Sequence, residues 1–225
     1  LLEQSRWDKW NGGIVNGDYD GLLMSPPCAS FSSARGADGN VAGRPAVIRG
    51  EFAPEIYGTQ DAMRNQRTLK TLQVGTCLAV RGADAARSAL KVDIPWIAET
   101  PGVQDGKASV TKLPDWMEIR AMAEVNRIEI AQCGYGARTK KPTELWGTVD
   151  FDGMIVTCTH TRVWWRVPWS GTAYFASHPQ LKGKQWAVPA DEWVPSMIRP
   201  REPDGDFISR SGAAYPPGMN AELVC

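Results

Sequence analysis

Apolar and polar positions along this chain fall into short runs with different periods. Leu22-Leu23-Met24 follows Asp20-Gly21 without any alternation, the pattern of a strand covered on both faces, and two prolines, Pro26 and Pro27, forbid its continuation. Residues 32 to 58 are rich in Gly, Ala, Arg and Pro and show no period, so they predict a long loop. From 60 to about 82 there is no proline, and Leu69, Leu72, Cys77, Leu78 and Val80 spread around much of a helical wheel, as in a helix pressed onto a sheet. Asp93 to Glu99 reads as a second short apolar strand, and a helix from Leu113 opens with Pro114-Asp115, residues suited to a first turn. Ile128 and Ile130 alternate in a strand that ends in a glycine turn, and residues 142 to 149 form its expected hairpin partner.

The order strand, helix, strand, helix, strand, strand predicts an α/β fold with parallel strands and a closing hairpin. It places an α/β domain over residues 1 to 150. After Phe151 the periodicity disappears, prolines are frequent, and five tryptophans fall between Trp164 and Trp193, so 151 to 208 reads as an irregular Trp-rich region. Residues 209 to 225, with Pro-Pro ahead of a short helix-forming run, read as a returning helix.

Charge narrows the partners only a little. The 225 residues carry 25 basic and 25 acidic side chains, so no global field attracts a polyanion or a membrane surface, and any nucleic-acid site must be local. Five cysteines, at 28, 77, 133, 158 and 225, are odd in number and widely scattered, which fits reduced thiols of an intracellular, soluble protein rather than a disulfide framework. No secretory signal or run of 18 apolar residues is present. The start at Leu1 and the end at Cys225 suggest a fragment of a longer polypeptide, with an upstream segment expected.

Candidate chemistry sits where the elements end. Ser25-Pro26-Pro27-Cys28 presents a thiol at the carboxyl end of the first strand, the side of an open α/β sheet where ligands bind. Glu99-Thr100-Pro101 closes the second strand, and Ala137-Arg138-Thr139-Lys140-Lys141 follows the glycine turn after the third. In this order the three stretches SPPCASFS, WIAETPG and GYGARTKKP resemble the Pro-Cys, Glu-Asn-Val and Gln-x-Arg-x-Arg motifs of the cytosine-5 DNA methyltransferases, and more closely the divergent methylase-like domains of retroelement and phage polyproteins. The likeness spans about residues 14 to 149, with a fainter match at AAYPPGMNAEL. It departs at Ala29, where the family carries Gln, at Thr100-Pro101, where it carries Asn-Val, and in the paired arginines, of which Arg138 is plain and Lys140 a substitute.

The resemblance implies a Rossmann-like methyltransferase sheet, nucleic acid (DNA or RNA) as substrate, and S-adenosylmethionine as methyl donor. Cys28 would add to the cytosine ring, Glu99 would bind its Watson-Crick edge as an acid, and Arg138 would clamp the base carbonyl or a phosphate. The target base would be unstacked to reach them. Ser25, Pro26, Pro27, Ser32, Arg35 and Lys140 would line the substrate, and Trp164 and Trp165, near Arg162, Arg166 and Trp169, would offer stacking faces or else form the small core of their region. The family's glycine turn for the cofactor has no counterpart, because no apolar strand precedes Asn11-Gly12-Gly13. The expectation is therefore the catalytic half of a methyltransferase, inactive alone. The alternative is a non-catalytic nucleic-acid-binding or structural module of a mobile-element polyprotein. Cys158, His160 and His178, with Cys133, are candidate metal ligands, but Cys-x-His lacks the usual zinc spacing, and the sequence by itself predicts no metal.

Overall fold

The structure, a computed structural model, describes residues 3–26, 30–31, 47–135, 141–154, 157–166, 173–178 and 188–189. The chain divides into two compact units, one of residues 1–129 and 143–153 and the other of residues 130–142 and 154–225. In order, the elements are helix α1 (Gln4–Val15), strand β1 (Leu22–Met24), helices α2 (Gln60–Arg64) and α3 (Gln66–Lys91), strand β2 (Trp96–Pro101), helix α4 (Pro114–Arg120), and strands β3 (Asn126–Ala131) and β4 (Pro142–Gly147). Three short strands follow, β5 (Val163–Arg166), β6 (Ala173–Ala176) and β7 (Val188–Pro189).

The fold class is α/β, with an open four-stranded mixed sheet in the order β1-β2-β4-β3. Only β1 and β2 run parallel, and β4 lies antiparallel to β2. Leu22 pairs with Trp96 and Met24 with Ala98, so these side chains share one face, and Trp146 joins them opposite Ala98. That face is covered by the small residues of α3 (Ala79, Ala83, Ala86, Ala89) and by Trp116 and Ile119 of α4, which complete one buried cluster. Trp116 meets Trp96 edge-on at 6.5 Å and donates its indole N–H to the carbonyl of Ala79 at 2.9 Å. A bulky residue on this face of α3 would hold the helix away from the sheet. At Gly82 an added Cβ would already stand 3.2 Å from Trp116 and 3.7 Å from Pro26.

Several elements differ from the sequence expectation, each for a local reason. The helix expected from 60 to about 82 is two helices, interrupted at Asn65, whose side chain accepts from the Thr68 N–H and caps α3 while its own backbone is extended. The second runs to Lys91 because its continuation is a string of small residues that the hydrophobic pattern underweights. Helix α1 was not expected at all: Asp8 and Lys9 separate its Trp7 and Trp10, and the Asn11-Gly12-Gly13 that follows masks a helical face, so Trp7 acquires its role by packing against the core. Strand β2 extends through Thr100 and Pro101, so Glu99 lies inside it. Within the stretch read as irregular, β5, β6 and β7 form a small antiparallel sheet in the order β6-β5-β7. Strands of two to four residues are too short to display an alternating pattern. Residues 209 to 225, expected as a returning helix, lie outside the described residues.

Candidate functional site

The carboxyl ends of β1 and β2 are adjacent because the strands run parallel with Met24 opposite Ala98. One residue further along, Ser25 and Glu99 project from the face opposite the helices, and the Ser25 hydroxyl donates to Oε2 of Glu99 at 3.2 Å. Glu99, inside β2, is 5% exposed. Thus the first two sequence motifs meet through a direct hydrogen bond between residues 74 positions apart. Pro26 is buried, directed toward the Gly82 position of α3.

The chain beyond Cys28 is also anchored. Ser30 and Phe31 are both buried, and Arg49 holds them: its Nη2 donates to the Ser30 hydroxyl at 3.1 Å, and its guanidinium lies 3.9 Å from the centre of the Phe31 ring. Arg49 also donates to the carbonyls of Ile56 (2.7 Å) and Leu72 (2.9 Å) and to the Thr76 hydroxyl (3.1 Å). Burial pushes its guanidinium down to about 10. Close approach of Ser30 to α3 requires Gly75, where an added Cβ would fall 2.3 Å from the Ser30 hydroxyl. Neither Arg49 nor Gly75 was singled out from the sequence, since one arginine in a stretch that reads as loop carries no signal of its long-range partners.

Of the other sequence-derived candidates, Pro27, Cys28, Ser32, Arg35, Arg138 and Lys140 lie outside the described residues. Trp164 and Trp165 occupy β5, with Trp164 opposite Phe175 and Trp165 opposite Tyr174 in the backbone register. A cleft of about 570 Å³ opens elsewhere, at the amino end of β2 between Arg87, Lys91, Asp93, Pro95 and Glu124. It contains none of the motif residues, and in parallel sheets chemistry gathers at the other end.

A separate cluster lies in the second unit. Cys133, in the short helical turn Gln132–Tyr135 after β3, is buried, and its ligand atom and those of Cys158, His160 and His178 all lie within 4.8 Å of one another. Cys158 Sγ is 3.6 Å from His160 Nδ1 and 3.1 Å from His178 Nε2. The two imidazoles meet edge to face at 4.7 Å. Burial, and after it the hydrogen bond and charge of Cys158, push the Cys133 thiol up to about 11. The β5–β6 pairing explains how the histidines meet: Val163 stands opposite Ala176, and extending that register brings His178 opposite Thr161, the neighbour of His160.

No protein-family model matches the chain, no curated protein matches it, and no solved structure matches its fold.

Proposed function

We propose that residues 1 to 150 form the catalytic half of a cytosine-5 methyltransferase-like domain with a Rossmann-like sheet, and that Cys28 adds to cytosine in nucleic acid. The observation that carries this reading is the hydrogen bond of Ser25 to Glu99 at the carboxyl ends of β1 and β2, because it joins the Pro-Cys and Glu motifs where the resemblance requires them to meet. Among the described residues, those before β1 form helix α1 where the family has a strand and a glycine turn, and that segment does not fit S-adenosylmethionine.

The chemistry assigned to the chain is the addition alone. The Cys28 thiolate forms a bond to ring carbon 6, the C5–C6 π pair is displaced through the ring toward nitrogen 3, and nitrogen 3 takes a proton delivered by the Glu99 carboxyl. Ser25 positions Glu99 through its hydroxyl. Arg138 would hold the base carbonyl and favour the thiolate.

An oligonucleotide bearing 2-pyrimidinone in place of cytosine tests this without the methyl donor. That base lacks the 4-amino group whose electron donation deactivates carbon 6, so thiolate addition does not wait for methyl transfer. The expected result is a covalent adduct located at Cys28 by mass spectrometry, absent in Cys28→Ser and formed about 100-fold more slowly in Glu99→Gln. Absence of the adduct overturns the assignment of Cys28 as nucleophile. Retention of the oligonucleotide without an adduct would instead support the non-catalytic binding module.

A further inference from the structure

We propose that Cys133, Cys158, His160 and His178 bind one zinc ion in a closed tetrahedral site. The inference rests on geometry independent of Cys28 and Glu99. Zinc is held by thiolate sulfur at about 2.3 Å and imidazole nitrogen at about 2.0–2.1 Å, so a tetrahedron of these ligands has sulfur–nitrogen edges of about 3.5 Å and a sulfur–sulfur edge of about 3.8 Å. The observed 3.6 Å and 3.1 Å from Cys158 to the two histidines bracket that edge, and the 4.8 Å limit on all four atoms leaves only a small contraction for an ion to make. The imidazoles are edge to face rather than stacked, which lets one nitrogen from each turn toward the same point.

The ligand chemistry selects the metal. Two thiolates and two imidazoles in tetrahedral array suit zinc, whereas magnesium and calcium take oxygen ligands in larger numbers. Four protein ligands leave no open position for water or substrate, so the site is structural. Its effect follows from where the ligands stand in the chain. Cys133 comes from the turn after β3, Cys158 and His160 from the approach to β5, and His178 from just past β6. A bound ion would therefore tie the turn after β3 to the residues just before β5 and just after β6. Cross-linking of this kind is how a small sheet of strands only two to four residues long is held in place.

The test uses the full 225-residue chain, purified under reducing conditions, exposed to zinc chloride and freed of loosely held metal by desalting. Elemental analysis should find one zinc per chain. Replacement with cobalt(II) should give the intense visible bands of a tetrahedral ion together with thiolate-to-cobalt charge transfer. Cys133→Ser and His178→Gln should abolish retained zinc. Because Cys133 is buried and its replacement can disturb the fold, His160→Gln, at an exposed ligand, provides the second variant: it should lose retained metal with an unchanged far-ultraviolet circular dichroism spectrum, while His160→Cys keeps the metal and strengthens the charge-transfer band. Failure to retain zinc overturns the proposal. Zinc retained equally by all variants, an octahedral cobalt spectrum, or a Cys133–Cys158 disulfide in the reduced preparation also overturns it.

Discussion

Replacing Arg49 by methionine isolates what anchors the chain just beyond Cys28. The guanidinium is 3% exposed and makes four hydrogen bonds, to Ile56 and Leu72 carbonyls and to Thr76 and Ser30 hydroxyls, besides its contact with Phe31. A hydrogen bond from a charged donor contributes about 1.5–3 kcal/mol. Four on one group are not independent, and roughly 5–6 kcal/mol is a reasonable gross figure once that coupling is allowed for. Against it stands the cost of keeping the charge buried. Burial pushes the guanidinium down to about 10, which at about 1.4 kcal/mol per tenfold change in acidity amounts to a penalty on the order of 3 kcal/mol.

The sign follows from the direction: the folded state disfavours the charged form, so the penalty is present in full at neutral pH and is relieved only as pH rises above about 10. Methionine removes both the bonds and the penalty, and it leaves the Ile56 carbonyl without its 2.7 Å donor, at about 1–3 kcal/mol. Net destabilisation should therefore be about 3–6 kcal/mol, a large part of the stability of an ordinary domain. Urea unfolding followed by tryptophan fluorescence measures it, and amide exchange at Ser30 and Phe31 should accelerate more than exchange in β2. Arg49→Lys should recover part of the loss, since an ammonium reaches only some of these acceptors. An Arg49→Met variant within about 0.5 kcal/mol of the parent would refute the reasoning, because that is the range of a surface substitution.

Gly147→Ala should destabilise the sheet by at least about 2–3 kcal/mol in the same urea assay, since the new Cβ would lie 2.1 Å from the Trp96 carbonyl oxygen, a backbone atom that cannot move without separating β4 from β2. Gly75→Ala opposes two effects: helix propensity gains about 1 kcal/mol, but the Cβ would stand 2.3 Å from the Ser30 hydroxyl, so a net loss of stability is expected, and a net gain would show that Ser30 is not held against α3. Glu51 is paired with Lys112, and that hydrogen bond, ahead of opposing desolvation, holds its carboxyl below the usual range. What the pair contributes is present above the ordinary carboxylate pKa and lost as pH falls through the lowered one. Carboxyl NMR titration should therefore find Glu51 protonating later than ordinary glutamates on acidification, and Lys112→Ala should return it to their range.

The local signals in the chain were the ones that depend on few neighbours. A non-alternating apolar run ending in Pro26 reveals a covered strand and its stop, and Pro114 reveals a helix start, because sterics and missing N–H groups act within a few residues. Hence β1, α4 and the α/β class were legible. Helix α1 and the continuation of α3 were not, because small residues and isolated tryptophans become a packing face only when Trp96 and Trp116 are in place. The register was also beyond local reading. Glu99 reaches Ser25 only because β1 and β2 align Met24 with Ala98, and β4 enters beside β2 only through the close approach at Gly147. Arg49 follows the same logic, its acceptors being spread from Ser30 to Thr76. The Cys133, Cys158, His160 and His178 cluster makes the division plain: the sequence contains the four ligand types, while their convergence depends on the β5–β6 register and on the path of the chain after β3. Side-chain chemistry is a property of each residue, but proximity between distant residues is fixed by packing and strand pairing, which no local pattern encodes.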